Sequence, residues 1–211
     1  AICPLVSKIH KEILQLEKQN YQIIMIGHDG HPEVEGTAGQ LQDMGNLTLV
    51  QSVDDVEKLY FPQDQSLAYI TQTTLSVLDT QEIIDALKLK FPSILEPKKS
   101  DICYATSNRQ ESVQEMAKKV DAIFVIGAFN SSNSIRLVET AKRFGCKHSE
   151  LIENIDDFDF SLLADYNKIG LTASASAPEE QLDLFIKKAK SLFNIEVLDH
   201  KEDENICLLY T

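Results

Sequence analysis

Cys3 and Cys103 are the residues of this sequence best suited to bind a metal. Each stands just before a stretch whose apolar residues recur at helical spacing: Val6, Ile9, Ile13 and Leu14 after the first, Val113 and Met116 after the second. A helix start favours the thiolate, the form that binds iron. Packing alone would also account for two cysteines buried at equivalent places. Four polar loops could hold an anion: His28 to Glu33, Gln72 to Ser76, Asn130 to Ser134, and Ala173 to Pro178. Free N–H groups and hydroxyls at helix starts suit a phosphate, although Ser and Asn there also serve as ordinary N-caps. His31 and Glu33 flank Pro32, so they either form a proton-delivering pair at the mouth of a ligand site or simply brace the loop. Cys146 and Cys207 have no counterpart elsewhere in the chain and read as packing residues.

Positioning those loops requires a repeated scaffold. From Cys3 the chain runs through a helix to the apolar strand Ile23-Ile24-Met25-Ile26 and then Gly27. From Cys103 it runs through a helix to Ile123-Phe124-Val125-Ile126 and then Gly127, an offset of about one hundred residues. A second strand from Leu67 to Thr71 leads to a helix through Ile83, Ile84 and Leu87. Its counterpart from Ile169 to Thr172 leads to a helix through Leu182, Phe185 and Ile186, which aligns Thr71 with Thr172. Short apolar strands alternating with helices predict an α/β fold with parallel sheets, and ligands collect beyond the strands' C-terminal ends. The expected domains are 1–99 and 100–195, joined by a Pro- and Lys-containing linker from Phe91 to Asp101. The tail from 196 to 211 reads as two short strands around the acidic turn Lys201 to Glu204, with no evident neighbour to pair with.

The bulk composition narrows the partners. Lys and Arg total 20 against 33 Asp and Glu, a net charge of -13, which disfavours a nucleic-acid partner. A small phosphorylated ligand remains compatible, because backbone N–H groups can hold it. No apolar run reaches membrane-spanning length and no signal peptide is visible, so the cytoplasm is the default location. The first residue is Ala1 and a candidate ligand follows two positions later, which suggests a piece of a longer chain.

Together these motifs resemble the 4-hydroxy-3-methylbut-2-enyl diphosphate reductase family. The resemblance is carried by Cys3-Pro4-Leu5-Val6, the run from Ile26 to Thr37, and Thr71-Gln72-Thr73-Thr74-Leu75-Ser76. It continues in Asp101-Ile102-Cys103-Tyr104-Ala105-Thr106, Asn108-Arg109-Gln110, Ser131-Ser132-Asn133-Ser134, and Ser174-Ala175-Ser176-Ala177-Pro178. The resemblance implies tandem pseudo-repeated α/β domains, two of three in a pseudo-threefold, trefoil-like arrangement around a [4Fe–4S] cluster. It implies the reductive dehydroxylation of an allylic diphosphate to isopentenyl and dimethylallyl diphosphates, the last step of the methylerythritol phosphate route to isoprenoids. An electron-donor protein such as a ferredoxin or flavodoxin would supply the electrons.

Carried over by position, Cys3 and Cys103 become cluster ligands and Glu33 the proton donor. Thr73 sits in the same proton network, and His31, Ser131, Ser132, Asn133 and Ser176 hold the diphosphate. Ser174 stands where the family pattern has Gly, and Ile135 where a polar residue is common. The family's first domain, with a third cysteine and two diphosphate-binding histidines, has no counterpart here, and the tail is expected to pack against it. These 211 residues alone are therefore expected not to turn over substrate. The alternatives are a non-catalytic paralogue that only binds a diphosphate, or a split enzyme whose first domain is a separate chain.

Overall fold

The computed structural model describes residues 3–199 and 206–210. It divides into two units, Ala1–Cys103 and Tyr104–Thr211.

In the first unit, helix α1 (Pro4–Lys18) starts with Pro at its first position, where the missing N–H costs nothing. Ile9, Ile13 and Leu16 recur on one face of α1 and are buried. Strand β1 (Gln22–Ile26) is the centre of a three-stranded parallel sheet, flanked by β2 (Leu47–Val50) and β3 (Leu67–Thr71). Its apolar run is covered on both faces: Ile24 and Ile26 pack with Val50, Tyr69, Ile83 and Leu87, while Ile23 and Met25 pack with Ile9, Ile13 and Ile70. Short helices α2 (Pro32–Ala38) and α3 (Val53–Lys58) follow β1 and β2, and α4 (Val77–Lys90) follows β3.

The second unit repeats the plan. Helix α5 (Tyr104–Ala117) leads to the central strand β4 (Ala122–Ile126), then α6 (Ser132–Arg143), β5 (His148–Ile152), β6 (Lys168–Ala173) and α7 (Glu179–Leu192). Strands β5 and β6 run parallel to β4 on either side. In both units the flanking strands lie on opposite sides of the central one, so the loops after β1 and β4 open at the switch point where α/β sheets bind ligands.

Three details depart from the sequence reading. Ile26 pairs with Thr71 but Ile126 pairs with Ala173, so the counterpart of Thr71 is Ala173 rather than Thr172. The backbone N–H groups of Gln72 and Ser174 confirm this register, each donating at 2.8 Å to Ile26 and Ile126 respectively. The stretch from Phe91 to Asp101 is no free linker. Leu95 bonds to Leu67 and Tyr69 along the open edge of β3, satisfying edge groups that would otherwise face water. The tail also finds a neighbour within its own unit: β8 (Ile206–Tyr210) lies antiparallel to β6, and β7 (Glu196–Asp199) antiparallel to β8. The reading found no partner because antiparallel pairing to β6 needs only a free edge, and edges carry no sequence signal of their own. The acidic turn expected at Lys201–Glu204 lies outside the described residues, as does the side chain of Cys207.

Candidate functional site

In the first unit, β1 ends at Gly27 and the chain turns through His28–Gly30 into α2. Gly27 is required by close packing: a Cβ there would lie 2.7 Å from Val34 Cγ2 and 3.3 Å from Gln72 Oε1. Gln72 is fully buried and its Oε1 accepts from the N–H of His28 at 3.0 Å, so the amide ties the first loop to the end of β3. His31 caps α2 in place of the usual Ser or Asp, its Nδ1 accepting from the N–H of Glu33 at 3.2 Å. An accepting Nδ1 leaves the neutral ring's proton on Nε2, which is then a donor.

That cap fixes the first turn of α2 and sends the Glu33 side chain to Thr73. One carboxylate oxygen accepts from the Thr73 N–H at 2.7 Å and the other from the Thr73 hydroxyl at 2.8 Å. Thr73 is 5% exposed and Glu33 is partly buried, so the Thr73 side of the pair is shielded. The Thr73 carbonyl in turn accepts from the N–H of Cys103 at 2.9 Å. Cys103 is half-buried and Cys3, at the N-cap of α1, is exposed; both are free thiols. Their soft sulfur donors suit iron of a cluster better than a hard cation. Among the described residues no three or more His, Cys, Asp or Glu gather into a metal-binding group.

The sequence reading missed the residue that braces this region. Asp101 is 1% exposed; one of its oxygens bonds the Lys8 ammonium at 2.6 Å and the other accepts from the Thr71 N–H at 3.1 Å. Burial pushes the Asp101 carboxyl above its ordinary range, while Lys8 and the Thr71 N–H pull it back. Burial opposes the charge on Lys8 too, but its bonds to Asp101 and Glu12 prevail and raise its pKa. The sequence places Asp101 at the end of the stretch from Phe91 to Asp101 expected to be a linker, and nothing in its spacing signals burial.

In the second unit, Ser131 caps α6 and accepts from the N–H of Ser134 at 3.4 Å, which places Ser132 and Asn133 in the first turn. Asn133 is 5% exposed, and both polar atoms of its side chain lack a partner among the described residues. The cause is visible in the repeat. Asn133 stands where Glu33 stands, but the place of Thr73 is taken by Ala175, which has no hydroxyl to offer. Ser176 is exposed, and its hydroxyl lies 3.3 Å from that of Ser174. Ser174, 1% exposed, fills the position of Gln72, and its hydroxyl packs under Gly127. Ile135 is 37% exposed and continues α6 without disturbing the cap. Arg109 spends its guanidinium on the carbonyls of Ala173 and Ala105, at 3.1 and 3.0 Å, securing α5 to β6.

These two units and their loops match a known family. A model described as LytB protein matches residues 1–190, and the chain belongs to that family. Among its curated relatives is the 4-hydroxy-3-methylbut-2-enyl diphosphate reductase of Proteus mirabilis, 47% identical over 208 residues, 98% of this chain and 65% of the relative. The protein of the same name from Ralstonia nicotianae is 49% identical over 192 residues, 91% of this chain and 58% of the relative. The solved reductase from Plasmodium falciparum superposes with a TM-score of 0.83 at 39% identity, covering 88% of this chain and 57% of that one. The chain thus spans less than two thirds of the length of these relatives. No helix among the described residues is long and apolar enough to cross a membrane.

Proposed function

We propose that this chain supplies acid–base, diphosphate-binding and cluster-ligating groups to a reductase that converts 4-hydroxy-3-methylbut-2-enyl diphosphate to isopentenyl and dimethylallyl diphosphates. The reaction replaces the allylic hydroxyl by hydrogen: two electrons and two protons enter, and the hydroxyl leaves as water. When bound, a [4Fe–4S] cluster provides the electrons and a Lewis-acidic iron. Cys3 and Cys103 are its ligands in this chain, and the family resemblance assigns a further cysteine to a domain outside these residues.

The observation that carries the reading is the two-point bond between Glu33 and Thr73. A carboxyl group fixed at both oxygens and partly shielded from water is positioned, once protonated, to pass that proton through the Thr73 hydroxyl to a leaving hydroxyl. His31, with its Nε2–H available, is assigned to the diphosphate. In the second unit, the same task falls to Ser131, Ser132, Ser176 and the unpartnered amide of Asn133. A soluble ferredoxin or flavodoxin is the expected source of electrons.

Iron content tests the ligand assignment. The natural protein, loaded anaerobically with iron and sulfide, is expected to show cluster absorbance and to lose it on Cys3→Ser or Cys103→Ser. Undiminished iron in both variants would refute the assignment. Diphosphate binding by a protein that takes up no iron would instead favour a non-catalytic diphosphate-binding relative.

A further inference from the structure

We propose that Asp101, acting through Lys8, is the positioning residue that fixes the two cysteine-bearing segments against each other. The proposal rests on the reading of Cys3 and Cys103 as ligands of one metal group. Residues 100–103 belong to no helix or strand, so no ladder of backbone bonds holds Cys103 in place. Among the described contacts, Asp101 and the bond from the Cys103 N–H to the Thr73 carbonyl tie this segment to β3 and the loop after it.

Asp101 spends one oxygen on the N–H of Thr71, at the end of β3, and the other on Lys8 of α1. Lys8 also reaches the Lys99 carbonyl at 3.3 Å, so α1 grips the segment at two points just upstream of Cys103. Lys8 lies in the helix that Cys3 opens, and the first turn is closed by the Ser7 N–H on the Cys3 carbonyl at 3.0 Å. One buried carboxylate therefore connects the start of the Cys3 helix, the end of the strand that leads to Thr73, and the approach to Cys103.

Stability alone gives a poor reason for this arrangement. The Asp101 side chain is 0% exposed, and burying an ion pair brings little net stabilisation over an apolar contact. Lys8 already has a partner on its own helix in Glu12, at 3.0 Å. The stretch before residue 100 is separately secured by the Leu95 bonds to β3 and by the more exposed Lys88–Glu96 pair at 2.8 Å. A buried charged pair does, however, permit only one register between the elements it joins, which is what a shared ligand set demands.

The test uses the natural protein loaded anaerobically with iron and sulfide, with the variants Asp101→Asn, Lys8→Met, Lys88→Met, Cys3→Ser and Cys103→Ser. Iron release to a ferrous chelator and the electron paramagnetic resonance line shape of the reduced cluster are read, with far-ultraviolet circular dichroism reporting the fold. Asp101→Asn keeps an acceptor for the Thr71 N–H but loses the charge facing Lys8. Lys8→Met breaks the same bond from the helix side, at a partly exposed residue, and the dichroism reports any loss of fold caused by the unpaired Asp101. Both should release iron at least tenfold faster and share an altered line shape while the dichroism is retained, and Lys88→Met should match the unmodified protein. Release rates and line shapes within twofold of the unmodified protein for Lys8→Met, with the cluster lost in both cysteine variants, would overturn the positioning role alone. Iron retained in both cysteine variants would overturn the ligand reading, and this inference with it.

Discussion

Glu33 and Asn133 occupy the same place in their units, two residues after a helix N-cap, yet their hydrogen-bonding differs completely. Glu33 has both oxygens satisfied by Thr73, whereas the Asn133 amide has no partner among the described residues. An unsatisfied buried amide costs about 1–3 kcal/mol, so the group is retained at the expense of stability. Asn133→Ala should therefore leave unfolding free energy within about 1 kcal/mol of the parent, since no bond is lost. The same change should weaken diphosphate binding about tenfold, equivalent to about 1.4 kcal/mol. Denaturant unfolding and calorimetric titration with inorganic diphosphate measure the two effects. A large stability loss with unchanged affinity would mark Asn133 as a packing residue. The sequence set His31 and Glu33 together on either side of Pro32, and the hundred-residue offset aligned their loop with the one from Asn130 to Ser134. It did not reveal Asp101, whose burial depends on Lys8 arriving from a helix some ninety residues earlier.

At the scale of elements, the two glycines after the central strands decide whether the loops can form. A Cβ on Gly127 would come 2.3 Å from Ser134 Oγ and 2.8 Å from Ser174 Oγ, the same neighbours by position that Val34 and Gln72 provide around Gly27. Gly127→Ala should destabilise the protein by about 1–3 kcal/mol through overpacking. Adding Ser134→Ala should recover part of that loss, as measured by denaturant midpoints; a neutral Gly127→Ala would contradict the packing described here. The central strands were legible from their unbroken apolar runs, as were the helices after Cys3 and Cys103. Strands β2 and β5 were not. Leu47-Thr48-Leu49-Val50 and His148-Ser149-Glu150-Leu151-Ile152 are short, half-buried flanking strands whose mixed composition gives no clear period. The one-residue slip between Thr172 and Ala173 has a similar origin, since only the ladder to β4 sets the register of β6.

At the scale of the whole molecule, each unit closes the open edge of its third strand with the chain that follows: Leu95 on β3, and β8 on β6. That covering turned the presumed linker and tail into parts of the units, a consequence of backbone groups that seek partners irrespective of side-chain type. On the proposed reading the loops at the switch points carry the chemistry, and the family membership of residues 1–190 gives that reading its most specific form. The most direct test is turnover of 4-hydroxy-3-methylbut-2-enyl diphosphate by the protein from its native source together with any domain it carries outside these 211 residues, loaded with iron and sulfide and given a chemical reductant, with and without Glu33→Gln. The account predicts isopentenyl and dimethylallyl diphosphates from the parent. It predicts a rate lower by roughly 100-fold or more in the variant, the scale of a lost general acid, with cluster absorbance unchanged. Equal rates for parent and variant, or no product from a fully loaded parent, would contradict it.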